Sequence, residues 1–320
     1  MTYNFKKIGV GVMALLGSAG CTITMSDDAI FNPPKWKDIA LTADELKFVD
    51  EAKLTSEASK LLQQSQFKNI LPATIKHGFI DAEDERIAYS LISANEKSGY
   101  SDRPLILSCY GSGGDRPNHG VYYAEKLLPW GDVLQFDYPG YGDSSGEPSI
   151  AAVKKITPAI VELANEFSGD RQLIFWGHSL GGFVCPHMAA ISPKFDGFVY
   201  ETTALSAEEA AKVWKPWFLR MIPFIKLEPA QSDQEGDNAT PLAGFAAPIL
   251  VLSGGKDKIL PAWLSQSLAD ALERQGNDVT YLHFEKGTHI NVPLQPDFVE
   301  RAAPFFDRVK STRGGAVAAE

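Results

Sequence analysis

The sequence predicts an α/β fold with a mostly parallel central sheet and helices on both of its faces. From Ala73 onward, strand-like and helix-like segments alternate along the chain. Two of the strand-like runs, Leu173-Ile174-Phe175-Trp176 and Ile249-Leu250-Val251-Leu252, are apolar at every position. That pattern fits strands covered on both sides, because a half-exposed strand alternates apolar with polar residues.

Residues 1–20 read as a secretory signal outside the fold. Lys6-Lys7 form a basic start, Ile8 to Leu16 an apolar stretch, and Gly17-Ser18-Ala19-Gly20 the small residues before a cleavage point. Cys21 follows at once, so the segment resembles a bacterial lipoprotein signal, with Ser18 where such signals usually carry Leu. The expectation is lipid attachment at Cys21, a membrane anchor and a place in the cell envelope. Thr22 is not the Asp associated with inner-membrane retention, which favours the periplasmic side of the outer membrane in a Gram-negative cell. Residues 21–72 read as a Pro-containing leader and a helix within Asp44 to Leu62.

The main domain is expected over residues 73–310. His77–Ile80 and Arg86–Leu91 read as paired strands, and Pro104–Cys109 as a short buried one. His119–Leu128 reads as a helix, Val133–Phe136 as a strand and Ile150–Phe167 as a helix. Leu173–Trp176 and Phe198–Tyr200 read as strands around a helix at Leu180–Ile191. Strands at Pro248–Leu252 and Val279–Phe284 and helices at Leu264–Arg274 and Phe298–Val309 complete the alternation, before a tail at 311–320. One insertion, 204–238, interrupts the pattern. Trp214, Trp217, Phe218 and Met221 recur there at one-face helical spacing, with Pro216 and Pro223 breaking the helix into pieces. The stripe reads either as core for its own small layer or as a lid with an apolar wall for a substrate.

Gly177-His178-Ser179-Leu180-Gly181 joins an apolar strand to a helix, and Gly-x-Ser-x-Gly in that context is a nucleophile elbow. A serine hydroxyl is a poor nucleophile at neutral pH and needs a histidine base oriented by an acid. Two later strand ends supply them in the order Ser, acid, His. Ile249–Leu252 runs into Ser253-Gly254-Gly255-Lys256-Asp257, and Tyr281–Phe284 runs into Glu285-Lys286-Gly287-Thr288-His289. Asp257 also reads as a turn residue that caps the next helical region. Glu201, at the end of an earlier strand, is the rival acid. His77, His119, His178, His187 and His283 are the rival histidines.

On these motifs the chain resembles the α/β-hydrolase superfamily, in particular its monoacylglycerol-lipase and serine-aminopeptidase branch, over roughly Ala73 to Lys310. Four blocks carry the resemblance: Tyr110-Gly111-Ser112-Gly113-Gly114, Asp137 to Ser144, the elbow, and the two turns ending in Asp257 and His289. The resemblance implies Ser179 as nucleophile, His289 as general base and acid, and Asp257 as orienting carboxylate. It also implies an oxyanion hole from the backbone N–H groups of Leu180 and Ser112, with Gly113 as the alternative to Ser112. Tyr110 stands where the family usually has His. The Asp137 to Ser144 block is expected to be structural.

At 320 residues, 44% hydrophobic, 22% charged and with formal charge −10, the chain has globular composition, and its acidity argues against nucleic acid as a partner. No cofactor is implied, and no Cys/His cluster has zinc spacing. Cys109 and Cys185 lie in predicted apolar elements and read as buried free thiols. The combined expectation is a serine hydrolase acting on a small-molecule or lipid ester. A peptidase or amidase of the same fold and a non-catalytic binding protein are the alternatives.

Overall fold

The computed structural model describes residues 21–25, 31–33, 74–93, 103–214, 225–229 and 237–312. Its strands are β1 (Cys21–Met25), β2 (Thr74–Ala82), β3 (Glu85–Ser93), β4 (Leu105–Cys109), β5 (Asp132–Phe136), β6 (Leu173–His178), β7 (Gly197–Glu201), β8 (Ile225–Pro229), β9 (Ile249–Gly254) and β10 (Val279–Phe284). The helices are α1 (Arg116–Leu127), α2 (Ile150–Ser168), α3 (Gly181–Ile191), α4 (Ala207–Trp214), α5 (Ala262–Arg274) and α6 (Phe298–Ser311). Eight strands form one sheet in the order β10-β9-β7-β6-β4-β5-β3-β2. Only β3 runs against its neighbours in that sheet, pairing antiparallel with β2 and β5, while every other pairing is parallel.

The apolar strands divide their side chains between two cores, as a doubly covered sheet requires. Leu105, Leu107, Leu173, Phe175, Ile249 and Val251 face one core, with Ile156 and Ile160 of α2, Val184 and Met188 of α3 and Leu268 of α5. Ile106, Ile174, Trp176, Leu250 and Leu252 face the other, with Leu127 of α1 and Phe298, Phe305 and Phe306 of α6. The expected fold class is the observed one.

The differences from the sequence reading are local. Helix α1 begins at Arg116, three residues before the expected His119, because the buried Asp137 carboxylate accepts the Arg116 N–H at 2.6 Å and anchors the first turn. That acceptor comes from another strand end, so no local signal announces it. Cys109 and Cys185, read as free thiols, form a disulfide between the end of β4 and α3, their Cα atoms 6.0 Å apart. Two apolar elements packed face to face bring together cysteines 76 residues apart in sequence. The unexpected strands β1 and β8 pair in parallel as a separate two-stranded sheet. Within the insertion the structure describes α4, β8 and the stretch from Asp237. Trp217, Phe218, Met221 and the side chain of Trp214 lie outside the described residues, as do the signal and the leader helix.

Candidate active site

Ser179 sits between β6 and α3 with φ of +52°, a left-handed conformation that costs a non-glycine residue on the order of 1 kcal/mol. The flanking glycines explain how the turn closes. A Cβ on Gly177 would lie 2.5 Å from the Gly181 carbonyl oxygen, and one on Gly181 would lie 2.1 Å from that of Cys109. The strained serine is held on both sides of its peptide. Its N–H donates to the Glu201 carbonyl at 3.0 Å, and its carbonyl accepts from Gly182 N–H and Thr203 Oγ1, both at 2.9 Å.

The turns after β9 and β10 are hydrogen-bonded to each other. Gly255 N–H donates to Phe284 O and Lys256 N–H to Gly287 O, both at 2.8 Å. A Cβ on Gly254 would meet the Gly287 carbonyl oxygen at 2.6 Å, so only glycine allows this approach. The paired turns bring Asp257 and His289 together: His289 Nδ1 lies 2.7 Å from Asp257 Oδ2, and its Nε2 lies 2.9 Å from Ser179 Oγ. Asp257 also caps its own turn, its Oδ1 accepting from the N–H groups of Ile259 (2.8 Å) and Leu260 (2.9 Å). Asp257 thus meets His289 with one oxygen and caps its own turn with the other.

The turn Gly111–Gly114, closed by Gly114 N–H to Gly111 O at 3.0 Å, lies against the elbow. A Cβ on Gly111 would come within 3.3 Å of Ser179 Cβ. Among the described residues, the N–H groups of Ser112, Gly113 and Leu180 donate no hydrogen bond, which leaves them available to an anion near Ser179 Oγ. The Asp137 to Ser144 block supports this turn. Tyr138 hydroxyl donates to Tyr110 O at 2.8 Å, and Tyr141 hydroxyl to Ser112 O at 2.9 Å. Gly142, at φ +49°, is required because a Cβ there would meet the Asp137 carboxylate at 2.3 Å. Burial raises the Asp137 carboxyl to about 7 against the opposing pull of Arg116. The leader contributes too. Phe31 packs edge-on against Tyr138 and Tyr141, and Asn32 N–H reaches Tyr141 Oη at 2.9 Å and Ser112 O at 3.2 Å. No motif in the sequence marks Phe31 or Asn32.

The rivals fall elsewhere. The Glu201 carboxylate is occupied by Lys126 Nζ at 3.1 Å and Trp176 Nε1 at 2.8 Å. His77 and His283 bond Ser90 and Ser253 on neighbouring strands, His119 lies 3.4 Å from Asp115, and His187 is exposed on α3. His178 is the residue that sequence reasoning undervalued. Its Nε2–H donates to the His289 carbonyl at 2.8 Å, so its Nδ1 accepts from the Tyr123 hydroxyl at 3.1 Å. Burial, reinforced by His289 and Lys126, holds it well below the usual histidine range and hence neutral.

Comparison with known proteins agrees with this architecture. Residues 104–242 match a family model for the alpha/beta hydrolase fold. An uncharacterized protein of Mycobacterium tuberculosis is 33% identical over 172 residues, 52% of this chain and 57% of the relative. A lysophosphatidylserine lipase of Danio rerio is 27% identical over 206 residues, 59% of this chain and 53% of the lipase. The chain thus spans about half the length of the curated relatives it matches. Among solved structures, the Pyrococcus furiosus esterase Pf2001 superposes with a TM-score of 0.57 at 16% identity, covering 87% of this chain and 98% of the esterase. An alpha-beta hydrolase from Vibrio vulnificus gives 0.56 at 17%, covering 79% and 87%. The chain has the α/β-hydrolase fold.

Proposed function

We propose that this protein is a serine hydrolase that cleaves carboxylic esters through an acyl-enzyme intermediate. The observation that carries the reading is the continuous file from Ser179 Oγ through His289 to Asp257, at 2.9 and 2.7 Å. Asp257 accepts the Nδ1–H of His289, which leaves the Nε2 lone pair facing the serine hydroxyl. As Ser179 Oγ attacks the ester carbon, Nε2 takes its proton, and the carbonyl oxygen becomes an anion received by the N–H of Leu180 and that of Ser112 or Gly113. Collapse expels the alkoxide, which leaves as the alcohol with the Nε2 proton. Water then attacks the acyl-serine, with His289 again as base, and releases the carboxylic acid. No step calls on a metal or cofactor.

A lipid ester is the favoured substrate class. The name of the Danio rerio relative and the apolar stripe of Trp214, Trp217, Phe218 and Met221 both support it. The proposed location is the cell envelope, with the membrane anchor on Cys21. The signal-like start and the Cys109–Cys185 disulfide, a bond that persists in oxidising compartments, support it. The test of function is a panel of aryl esters of graded acyl length run beside aminoacyl amides. Ester turnover, with longer acyl chains losing more than acetate in Trp217→Ala and Phe218→Ala, is the expected result. Preference for amides would move the reading to a peptidase, and no turnover of either class would leave a binding protein. Cys21→Ser should move the mature protein from the membrane to the soluble envelope fraction, and a variant that stays membrane-bound would remove the anchor.

A further inference from the structure

Two successive carbonyls, those of His289 and Ile290, are gripped by four side chains. His289 O accepts from His178 Nε2–H at 2.8 Å and Thr202 Oγ1 at 2.9 Å. Ile290 O accepts from Lys126 Nζ and from Tyr122 hydroxyl, each at 3.0 Å. Ile290 is 41% exposed, and both hydrogen bonds fall on its backbone carbonyl. Lys126 is only 1% exposed, and its ammonium reaches Glu201 as well as the loop. One cation therefore ties α1, the end of β7 and the histidine turn together. A buried ion pair is often no more stabilising than apolar side chains of the same volume. Stability alone therefore gives weak reason for a lysine here, whereas control of a catalytic turn gives a specific one.

We propose that Lys126 is a positioning residue for acyl transfer: its Glu201-paired ammonium grips the Ile290 carbonyl and so fixes the His289 imidazole between Ser179 and Asp257. The kinetic consequence rests on the serine-hydrolase reading. Proton transfer from Ser179 needs the 2.9 Å approach to Nε2, and a misplacement of about 1 Å costs roughly a hundredfold in rate. Among the described residues, the hydrogen bonds on the Ile290 carbonyl come from these two donors.

The test is the double variant Lys126→Met/Glu201→Gln, which removes both charges together and leaves neither buried alone. Hydrolysis of an aryl ester, the thermal midpoint and amide hydrogen exchange of residues 286–292 are measured in variant and wild type. The expected result is a kcat lower by about ten- to a hundredfold, with KM within about twofold, a near wild-type midpoint and faster exchange in 286–292. A kcat within twofold of wild type, or unchanged exchange, overturns the proposal. Tyr122→Phe removes the other donor from the same carbonyl and leaves the ion pair in place, which guards against a double variant that does not fold. It should lower kcat several-fold at constant KM, and an unchanged kcat overturns the grip as a catalytic device. Failure of the hydrolase reading looks different: wild type itself would neither turn over esters nor react with a fluorophosphonate. Lys126 would then be judged by the exchange measurement, and unchanged exchange would refute it.

Discussion

Asp257 and Glu201 show how two carboxylates at neighbouring strand ends acquire different roles. Asp257 meets the imidazole and two turn amides, whereas Glu201 meets a buried ammonium and an indole N–H. Asp257→Asn keeps the turn cap through its amide oxygen but no longer fixes the His289 tautomer, so kcat should fall by roughly 10⁴ with the fold intact. Glu201→Gln should be read mainly in stability, because it leaves Lys126 charged and unpaired inside the protein, a defect that costs about 3–5 kcal/mol. Parallel kcat and melting measurements on the two variants check this division, and the reverse pattern would make Glu201 the acid. Ser179, Asp257 and His289 were legible because each sits at the end of an apolar strand in a glycine-bearing turn. Lys126 and His178 were not. A lysine in an amphipathic helix and a histidine inside an elbow motif look ordinary until tertiary packing places them under the histidine turn.

At the scale of elements, the hydrophobic pattern located central strands of the main sheet such as β6 and β9, because Leu173–Trp176 and Ile249–Leu252 are apolar throughout. Their ends were less visible, since β6 and β9 continue through Gly177-His178 and through Ser253-Gly254, stretches whose glycines and serine locally prefer turns. Strands β1 and β8 went unread because each is defined by its distant partner. The β2–β3 hairpin carries a titration signal. His77 faces Ser90 across the pair, with Nδ1 2.8 Å from Ser90 Oγ, and burial, reinforced by Arg116, lowers its pKa to about 4. The unfolded chain takes up this proton near pH 6.5, but the folded hairpin refuses it until about pH 4. His77 therefore contributes stability above pH 6.5 that is lost as pH falls toward 4. The melting midpoint of wild type minus that of His77→Gln should be constant above about pH 6.5 and decline below it. A flat difference across pH 4–8 would show that the hairpin imposes no such shift.

Across the whole molecule, the parallel sheet gathers the site at the carboxyl ends of β4, β6, β9 and β10, where open α/β sheets bind their ligands. The disulfide joins two parts of that edge, because Cys109 immediately precedes the Tyr110-Gly111 turn and Cys185 lies on the helix that follows Ser179. Closing a loop of 76 residues should stabilise the fold by about 4 kcal/mol on the chain-entropy account. Cys109→Ala/Cys185→Ala should therefore melt well below wild type under oxidising conditions, and a reductant that reaches the bond should abolish the difference. This pairing was invisible in sequence, since two cysteines in a long chain carry no spacing signal. The central claim is that Ser179 is a nucleophile activated by His289. Its most direct test is reaction of the folded protein with a fluorophosphonate, followed by peptide mass spectrometry. A single adduct on Ser179, absent in Ser179→Ala and strongly slowed in His289→Ala, is the predicted result. An unlabelled wild type, or labelling that survives Ser179→Ala, would contradict it.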